Sequence, residues 1–418
     1  MREQFVKLYK IVFVLAFFIF LAACNSHSSS KKTILQKGKW LLTLHIPSEK
    51  IPVNMEVDIK NDSSYSITII NGKEKVIYAD TNINITGKNI KITDPVFESW
   101  FEGKIISDKK IIGKWYKGKD YAIPFKAVYG KKERFAVYGK KVPENINGKW
   151  ETTFSPGTEE EYKAIGIFNQ EGNTINGTFA TEFGDYRFLN GVMDNDSLKL
   201  STFDGSHAFL FKAKLENDTL KGIFWSGTHW KEKWYAVRNE QFQLRNPEEL
   251  TYLKEGYENI SFQLPDLDSN IVSFPSPQFN NKVVIINIMG SWCPNCKDEL
   301  LYLSELYKKY HSLGLEVISV AFERSNDFWK NVSAVKKEKH FAKAEHIFLL
   351  GGKASKVEAS KVFPMLNQII SFPTSIFIDK KGKIRKIRTG FYGPATGKYY
   401  TEYCQRTDSF IRILLNEE

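Results

Sequence analysis

The most informative segment of the chain is Val283-Val284-Ile285-Ile286-Asn287-Ile288-Met289-Gly290-Ser291-Trp292-Cys293-Pro294-Asn295-Cys296. Its first part is a nearly continuous apolar run, which is typical of a strand buried in a parallel sheet. Its second part carries two cysteines three residues apart. Pro294 suits the first position of a helix, because its missing N–H would have no partner there. The sequence therefore predicts a buried strand followed by a helix that begins at a cysteine pair.

The residues beyond the second cysteine extend this pattern into a domain. Leu303, Leu306 and Tyr310 fall at helical spacing, and residues 315–320 form another apolar run. Strand, helix and strand in this order make a βαβ unit. A hairpin and a final helix follow, so the pattern predicts a compact α/β domain over residues 257–418.

The cysteine spacing predicts redox chemistry. Two residues at i and i+3 on the first turn of a helix have β-carbons roughly 5–6 Å apart, close enough for a disulfide. The helix N-terminus favours a thiolate at the first sulfur. We therefore predict Cys293 as the attacking thiolate and Cys296 as the resolving thiol of a catalytic pair that cycles through a Cys293–Cys296 disulfide. This cycle needs no metal and no organic cofactor.

Other uses of a cysteine pair can be weighed directly. A c-type haem site would need histidine after the second cysteine, where Lys297 stands. A structural zinc site would need two further ligands, and no second pair of cysteines or nearby histidine pair is present in the sequence. A permanent structural disulfide stays open as an alternative.

The C-terminal residues resemble the thioredoxin-like domain of the TlpA/ResA family of extracytoplasmic thiol-disulfide oxidoreductases. The resemblance rests on residues 292–296, on Glu299 and on Phe372-Pro373-Thr374, and it covers a little under two fifths of the chain. It implies that Pro373 is a cis-proline facing the disulfide. The residues expected to support the active site are Trp292, Pro294, Asn295, Glu299, Phe372, Pro373 and Thr374.

Two polar residues near the pair bear on proton transfer. Asn287 stands where thioredoxin has a buried acid. Proton transfer would then rely on Glu299 or on water. Glu299 either tunes the protonation of the pair or is an ordinary charged residue in the first turn of the helix. The segment 322–367 is long for the family, contains a helix-like stretch, and could shape the substrate surface.

The N-terminal residues have the pattern of a lipoprotein signal. Basic residues, an apolar run and the step Leu21-Ala22-Ala23-Cys24 follow one another. The step resembles a lipobox and predicts a signal peptide over residues 1–23, lipidation of Cys24 and a polar tether over residues 24–32. An ordinary signal or an uncleaved anchor are the alternatives. Each of them places the remaining chain outside the cytoplasm.

The first half carries an internal repeat. Gly38-Lys39-Trp40 recurs as Gly148-Lys149-Trp150, and a second landmark recurs at nearly the same offset. Alternating apolar residues with Gly and Asn turns predict antiparallel strands in a sandwich or an open barrel. We therefore predict a duplicated all-β half, with one unit over residues 33–142 and its repeat over residues 143–240. A linker follows over residues 241–256, and a short capped helix is expected in it at 246–250.

This β half also resembles N-terminal regions of Bacteroidetes-type TlpA lipoproteins, which carries no function over. Its tryptophans are predicted to be core and cross-strand packing residues, although they could line a ligand groove. His207 and His229 are placed on separate strands and given no metal-binding role.

The composition of the chain limits the classes of partner that it is expected to bind. The chain has 418 residues, a formal net charge of +11 and four cysteines. Its basic clusters are too short and scattered to indicate nucleic acid binding. With so few cysteines, disulfides serve chemistry and not the architecture.

The predicted function is that of a membrane-anchored extracytoplasmic thiol-disulfide oxidoreductase. The leading hypothesis is a reductase of disulfides in proteins, in cytochrome maturation or in small molecules, recharged by a membrane electron donor. An oxidase or isomerase would use the same two sulfurs. A thiol peroxidase of the same fold, or a surface binding lipoprotein with an ancillary redox domain, are the alternatives.

Overall fold

A computed structural model describes residues 35–61, 64–139 and 143–417. The expected signal peptide, the lipidated Cys24 and the tether all lie outside the described residues. Within those residues, no helix combines the length and the apolar character needed to cross a membrane.

The first β unit is a single antiparallel sheet of nine strands in the order β4-β3-β2-β1-β9-β8-β7-β6-β5. Among the described residues the edge strands β4 and β5 do not pair with each other, so the sheet forms an open, barrel-like meander. The strands are β1 Gly38–Ile46, β2 Glu49–Asn61, β3 Ser64–Asn71, β4 Glu74–Tyr78, β5 Ile83–Thr86, β6 Asn89–Thr93, β7 Ser99–Ser107, β8 Lys110–Lys117 and β9 Tyr121–Tyr129.

The second β unit closes where the first stays open. Its sheet runs β11-β10-β18-β17-β16-β15-β14-β12-β13, and an additional pairing of β11 with β12 completes a barrel. The open barrel expected from sequence thus describes the first unit, the second is closed, and neither is a two-sheet sandwich. Its strands are β10 Gly148–Phe154, β11 Tyr162–Glu171, β12 Thr174–Thr181, β13 Gly184–Asp185, β14 Leu189–Asp194, β15 Ser197–Phe203, β16 Ala208–Glu216, β17 Thr219–Ser226 and β18 Trp230–Arg238.

One tryptophan in each predicted repeat has the same arrangement. Trp40 and Trp150 are both fully buried. The indole N–H of each donates to the carbonyl oxygen four residues earlier, that of Gln36 at 2.9 Å and that of Ile146 at 3.0 Å. Buried indoles usually find such an acceptor, so both tryptophans have the same surroundings, as the predicted duplication would give.

The two β units share part of their core. Phe203, Leu210 and Trp225 of the second unit are buried in the same apolar cluster as Trp40 and Trp115 of the first. Burying a large apolar side chain contributes about 1.5–3 kcal/mol. The units therefore stabilise each other and form a joint platform.

The C-terminal domain is built on a five-stranded sheet in the order β23-β22-β21-β24-β25. The first three of these strands are parallel, the last two antiparallel, and every residue of β21 is buried. With helices covering the sheet, this is a thioredoxin-like arrangement. Its elements are β19 Phe262–Pro265, β20 Ile271–Phe274, β21 Val283–Met289, α1 Pro294–Tyr310, β22 Leu315–Glu323, α2 Phe328–Phe341, β23 Ile347–Lys353, α3 Lys356–Val362, β24 Thr374–Ile378, β25 Ile384–Thr389 and α4 Lys398–Asn416.

The prediction of a short capped helix at 246–250 in the linker is wrong, because these residues form a turn. Asn246 instead forms a turn in which its side chain accepts the N–H of Glu248 at 3.1 Å. The carbonyl of Pro247 accepts the N–H of Thr389 at 2.9 Å, at the end of β25. The segment therefore pairs with the C-terminal domain and forms a turn instead of a helix.

Candidate active site

The cysteine pair lies where the buried strand β21 gives way to α1. Cys293 is the N-cap of the helix, and its sulfur accepts the N–H of Cys296 at 3.1 Å. The two Cα atoms are 5.2 Å apart and a disulfide joins the sulfurs. Cys296 is fully buried, whereas Cys293 keeps 6% of its surface exposed. Pro294 occupies the first helical position, where no N–H is needed.

Hydrogen bonds hold the turn that carries the pair. The carboxylate of Glu323 accepts both the N–H and the hydroxyl of Ser291, each at 2.7 Å. The indole N–H of Trp292 donates to the carbonyl of Phe322 at 2.9 Å. Burial raises the pKa of Glu323 to about 7. The end of β22 therefore holds Ser291 and Trp292, the two residues before Cys293, in place. This contact was not predicted from the sequence.

The residues just before and at the start of β24 form the side of the site that faces Cys293. The Phe372–Pro373 peptide bond is cis, as the resemblance implied. The carbonyl oxygen of Phe372 lies 3.6 Å from the sulfur of Cys293. Thr374 is buried and its hydroxyl donates to the carbonyl of Ser371 at 2.9 Å. These residues bring a backbone edge alongside the disulfide.

Glu299 is a buried acid and not an ordinary charged residue of the helix. It is 1% exposed, and its carboxylate accepts from Asn287 at 2.7 Å, Ser375 at 3.0 Å and Tyr403 at 3.3 Å. Burial raises the pKa of Glu299 to about 7 although these hydrogen bonds lower it. Three residues after Cys296, it lies on the same face of α1. A group with this pKa can exchange a proton near neutral pH.

The second β unit packs directly on the cysteine motif. Gly184, which begins β13, comes so close to the side-chain amide of Asn295 that an added β-carbon would collide with it. The carboxylate of Asp185 accepts the N–H of Gly393 at 2.6 Å. The hydroxyl of Ser371 lies 3.5 Å from the carbonyl of Phe183. The turn between β12 and β13 therefore covers one side of the redox motif, an arrangement that the sequence did not indicate.

A single arginine ties the three parts of the chain together. Arg187 is 3% exposed and forms an ion pair with Asp298 of α1. It also contacts Glu74 of the first β unit at 2.7 Å and Asp204 of its own unit at 3.5 Å. These carboxylates raise the pKa of Arg187 further above its ordinary value, against the effect of burial. This role could not be predicted from the neighbouring residues, because they do not indicate whether an arginine is buried or exposed.

A cleft of about 1020 Å³ opens between the mouth of the second barrel and the redox motif. Asn295, Ser371 and Phe372 line it on one side, and His207, His229 and Trp230 line it on the other. Both histidines lie in loops between strands and not on the strands expected. Trp230 is 43% exposed, so the packing role expected of the tryptophans fails there, although Trp40, Trp115, Trp150 and Trp234 are buried. Within the described residues no acid, histidine and cysteine cluster could hold a metal ion.

A family model described as Redoxin matches residues 254–398. This range begins just before the hairpin β19–β20 and contains the cysteine pair, Glu299 and the cis-proline. The C-terminal domain is a redoxin domain. It has the thioredoxin fold, and the chain is an enzyme of the thiol-disulfide oxidoreductase class.

Relatives by sequence match the redoxin domain. A thiol-disulfide oxidoreductase ResA from Bacillus thuringiensis subsp. konkukian is 29% identical over 152 residues, which cover 36% of this chain and 77% of that protein. The ResA of Bacillus subtilis is 28% identical over 142 residues, covering 33% of this chain and 69% of that protein. A solved thioredoxin-family thiol:disulfide interchange protein from Chlorobium tepidum aligns at 19% identity and a TM-score of 0.30, over 39% of this chain and 99% of its own.

Proposed function

We propose that the chain is a membrane-anchored, extracytoplasmic reductase of disulfides that works through Cys293 and Cys296. The observation that carries this proposal is the placement of the pair. One sulfur caps the first turn of a helix with some surface exposed, and the other is buried one turn deeper. Such a pair suits attack by the first sulfur and release by the second.

The cycle moves two electrons without a cofactor. The Cys293 thiolate attacks one sulfur of the substrate disulfide, forms a mixed disulfide and releases the first substrate thiolate, which takes up a proton. The Cys296 thiolate then attacks the Cys293 sulfur, and the second substrate thiol leaves. The substrate is reduced to two thiols while the pair is oxidised to the disulfide. A dithiol donor must reduce the pair again before the next turnover.

Glu299 is proposed to take the proton from Cys296 as that thiol becomes the attacking thiolate. The support is its position one turn along α1 and a pKa of about 7, which lets the carboxylate accept a proton near neutral pH. The amide of Asn287 and the hydroxyls of Ser375 and Tyr403 hold the carboxylate in place.

The anchor and the location rest on sequence. The lipobox-like step that ends at Cys24 supports a lipid anchor, and the preceding residues support export. A chain tethered in this way would meet extracytoplasmic substrates, such as protein disulfides or those of cytochrome maturation, and a membrane donor of the thiol-disulfide relay type. Replacing Cys24 by alanine should release the protein from the membrane fraction.

The test of function is reduction of insulin by the reduced chain, with a dithiol supplied as donor. The unmodified protein should accelerate the reaction, and Cys293→Ser should abolish it. A reduction potential of the pair near −270 mV would support a reductase, whereas one near −120 mV would indicate an oxidase. Absence of any acceleration by the unmodified protein would contradict the proposal.

A further inference from the structure

The cleft beside the redox motif is built by all three parts of the chain. The second barrel contributes its mouth, the first β unit contributes Lys117 at the end of β8, and the redoxin domain contributes Arg324 and Phe372. The carbonyl of Phe372 lies 3.6 Å from the Cys293 sulfur. Barrel mouths and domain boundaries are preferred places for ligand sites, and small-molecule sites have volumes of about 300–1000 Å³. Because Phe372 lines the cleft and its carbonyl lies beside the Cys293 sulfur, a compact ligand in the cleft would lie close to the cysteine pair.

Two cations in the cleft lack a carboxylate partner. Within the described part of the chain, neither Lys117 nor Arg324 has a carboxylate at ion-pair distance. The ammonium of Lys117 donates to the carbonyl of Ser206 at 2.7 Å, and Arg324 lies over the ring of Trp292 at 5.0 Å. Burial, and then the charge of Arg324, lower the pKa of Lys117 to about 8. The two positive charges therefore repel each other. An anion that contacts both cations would reduce this repulsion.

Five of the described acidic residues also line the cleft, among them Glu160 and Glu161, so its lining is of mixed charge. The acids considered for Lys117 have other partners. Glu232 accepts the hydroxyls of Ser155 and Tyr162. Asp204 faces Arg187 and His207. Neither acid lies at ion-pair distance from Lys117 or Arg324, although the charge of Asp204 partly offsets the lowering of the Lys117 pKa.

Two further acids near Arg324 have other partners as well. Glu323 holds the backbone and hydroxyl of Ser291. Glu98 pairs with Lys330 at 2.9 Å. Both acids act on Arg324 through their charge, but neither forms an ion pair with it, so its guanidinium can still contact an anionic ligand.

We propose that this cleft binds the carboxylate groups of a compact disulfide substrate, with Lys117 and Arg324 as the cationic contacts that guide its sulfurs to Cys293. The inference rests on the proposed function and adds the substrate class to it. A disulfide of a small carboxylate-bearing thiol or a short acidic peptide has this chemistry. Charge attraction in a partly buried cleft is stronger than in bulk water, so losing one contact slows capture measurably.

The test compares two chromogenic disulfides against the reduced full-length chain in single-turnover reactions. Dithiobis-nitrobenzoate carries two carboxylates, whereas dithiodipyridine is neutral at the pH of the assay. In both, Cys293 displaces one aryl thiolate and Cys296 the second, as in the proposed cycle. Lys117→Gln and Arg324→Gln should each slow the anionic disulfide about tenfold and change the neutral one less than about twofold. Lys117→Arg keeps the positive charge and should retain most of the unmodified rate with the anionic disulfide.

Lys114→Gln provides the matched control. Lys114 is an exposed lysine on the same strand and does not line the cleft, so its replacement should leave both rates unchanged. Equal slowing of both disulfides, or no slowing of the anionic one, in the Lys117 and Arg324 variants would overturn the inference. If the unmodified chain reduced neither disulfide, the proposed function itself would fail, which is a different and separable result.

Discussion

The guanidinium of Arg187 in the second β unit forms a buried ion pair with the carboxylate of Asp298, which lies two residues after Cys296. The same guanidinium holds Glu74 of the first unit. One side chain thereby connects the β half of the molecule to the redox helix. The β half is for this reason part of the active-site environment and not a separate appendage.

Replacing Arg187 by glutamine should destabilise the folded chain strongly. The change leaves the buried carboxylates of Asp298 and Asp204, and the half-buried Glu74, without this cation. Breaking a buried ion pair in this way costs about 3–5 kcal/mol. Denaturant unfolding of the variant and of the unmodified chain measures this difference in free energy.

The control is Arg245→Gln, which removes the ion pair with Glu182. The Arg245 side chain is 68% exposed, and an exposed pair contributes less than about 1 kcal/mol. Equal losses in the two variants would show that Arg187 does not act as a buried connector.

Replacing Cys296 by serine should trap the first intermediate of the cycle. Cys293 can still attack a disulfide, but no second thiol is present in the pair to release the product. Mass spectrometry of the variant after exposure to an excess of a disulfide should show one covalent adduct, at Cys293. The matched variant Cys293→Ser should form no adduct at this motif, and an adduct at Cys296 in that variant would reverse the assigned roles.

Replacing Glu299 by glutamine should change how stability depends on pH. The pKa of Glu299 is raised from 4.5 to about 7 in the fold, so the folded chain holds a proton that the unfolded chain releases between these values. Stability contributed by Glu299 is therefore lost as pH rises through this window, by about 3 kcal/mol in total. The variant, which does not titrate there, should gain this amount relative to the unmodified chain between pH 4.5 and about 8.

Chemical denaturation across the pH series supplies the measurement, and Glu305→Gln supplies the control. Glu305 lies on the same helix with its side chain 74% exposed. Its replacement should leave the pH dependence unchanged. A constant difference between Glu299→Gln and the unmodified chain at every pH would show that Glu299 has an ordinary pKa.

Replacing Gly184 by alanine should disturb the contact between the barrel and the redox motif. The added methyl group would collide with the side-chain amide of Asn295, and such overpacking costs about 1–3 kcal/mol. Thermal unfolding should show the loss. Alkylation of reduced Cys293 should become faster, because the covering turn is displaced.

The double variant Gly184→Ala with Asn295→Ala tests the cause. Shortening Asn295 removes the colliding atoms, so the double variant should recover stability relative to Gly184→Ala alone. Additive losses in the two positions would indicate that they are not in contact.

Local sequence determined the redox element of this protein. The apolar run before the motif, the proline after Cys293 and the spacing to Cys296 together specify a buried strand, a helix start and a bondable pair, because each depends on neighbours within one turn. The repeat of Trp40 as Trp150 likewise indicated a duplicated β half. Both patterns involve neighbouring or regularly repeated residues, so they can be recognised in the sequence.

The surroundings of the cysteine pair depend on long-range contacts that form when the chain folds. The closure of the second barrel depends on β11 pairing with β12, and the open edge of the first unit has the same alternating pattern in sequence. The burial of Glu299, the connection made by Arg187 and the cation pair of Lys117 and Arg324 join residues that are far apart along the chain. The pKa values and ion-pair energies of such residues depend on burial and on partners distant in sequence. Neither can be predicted from the neighbouring residues.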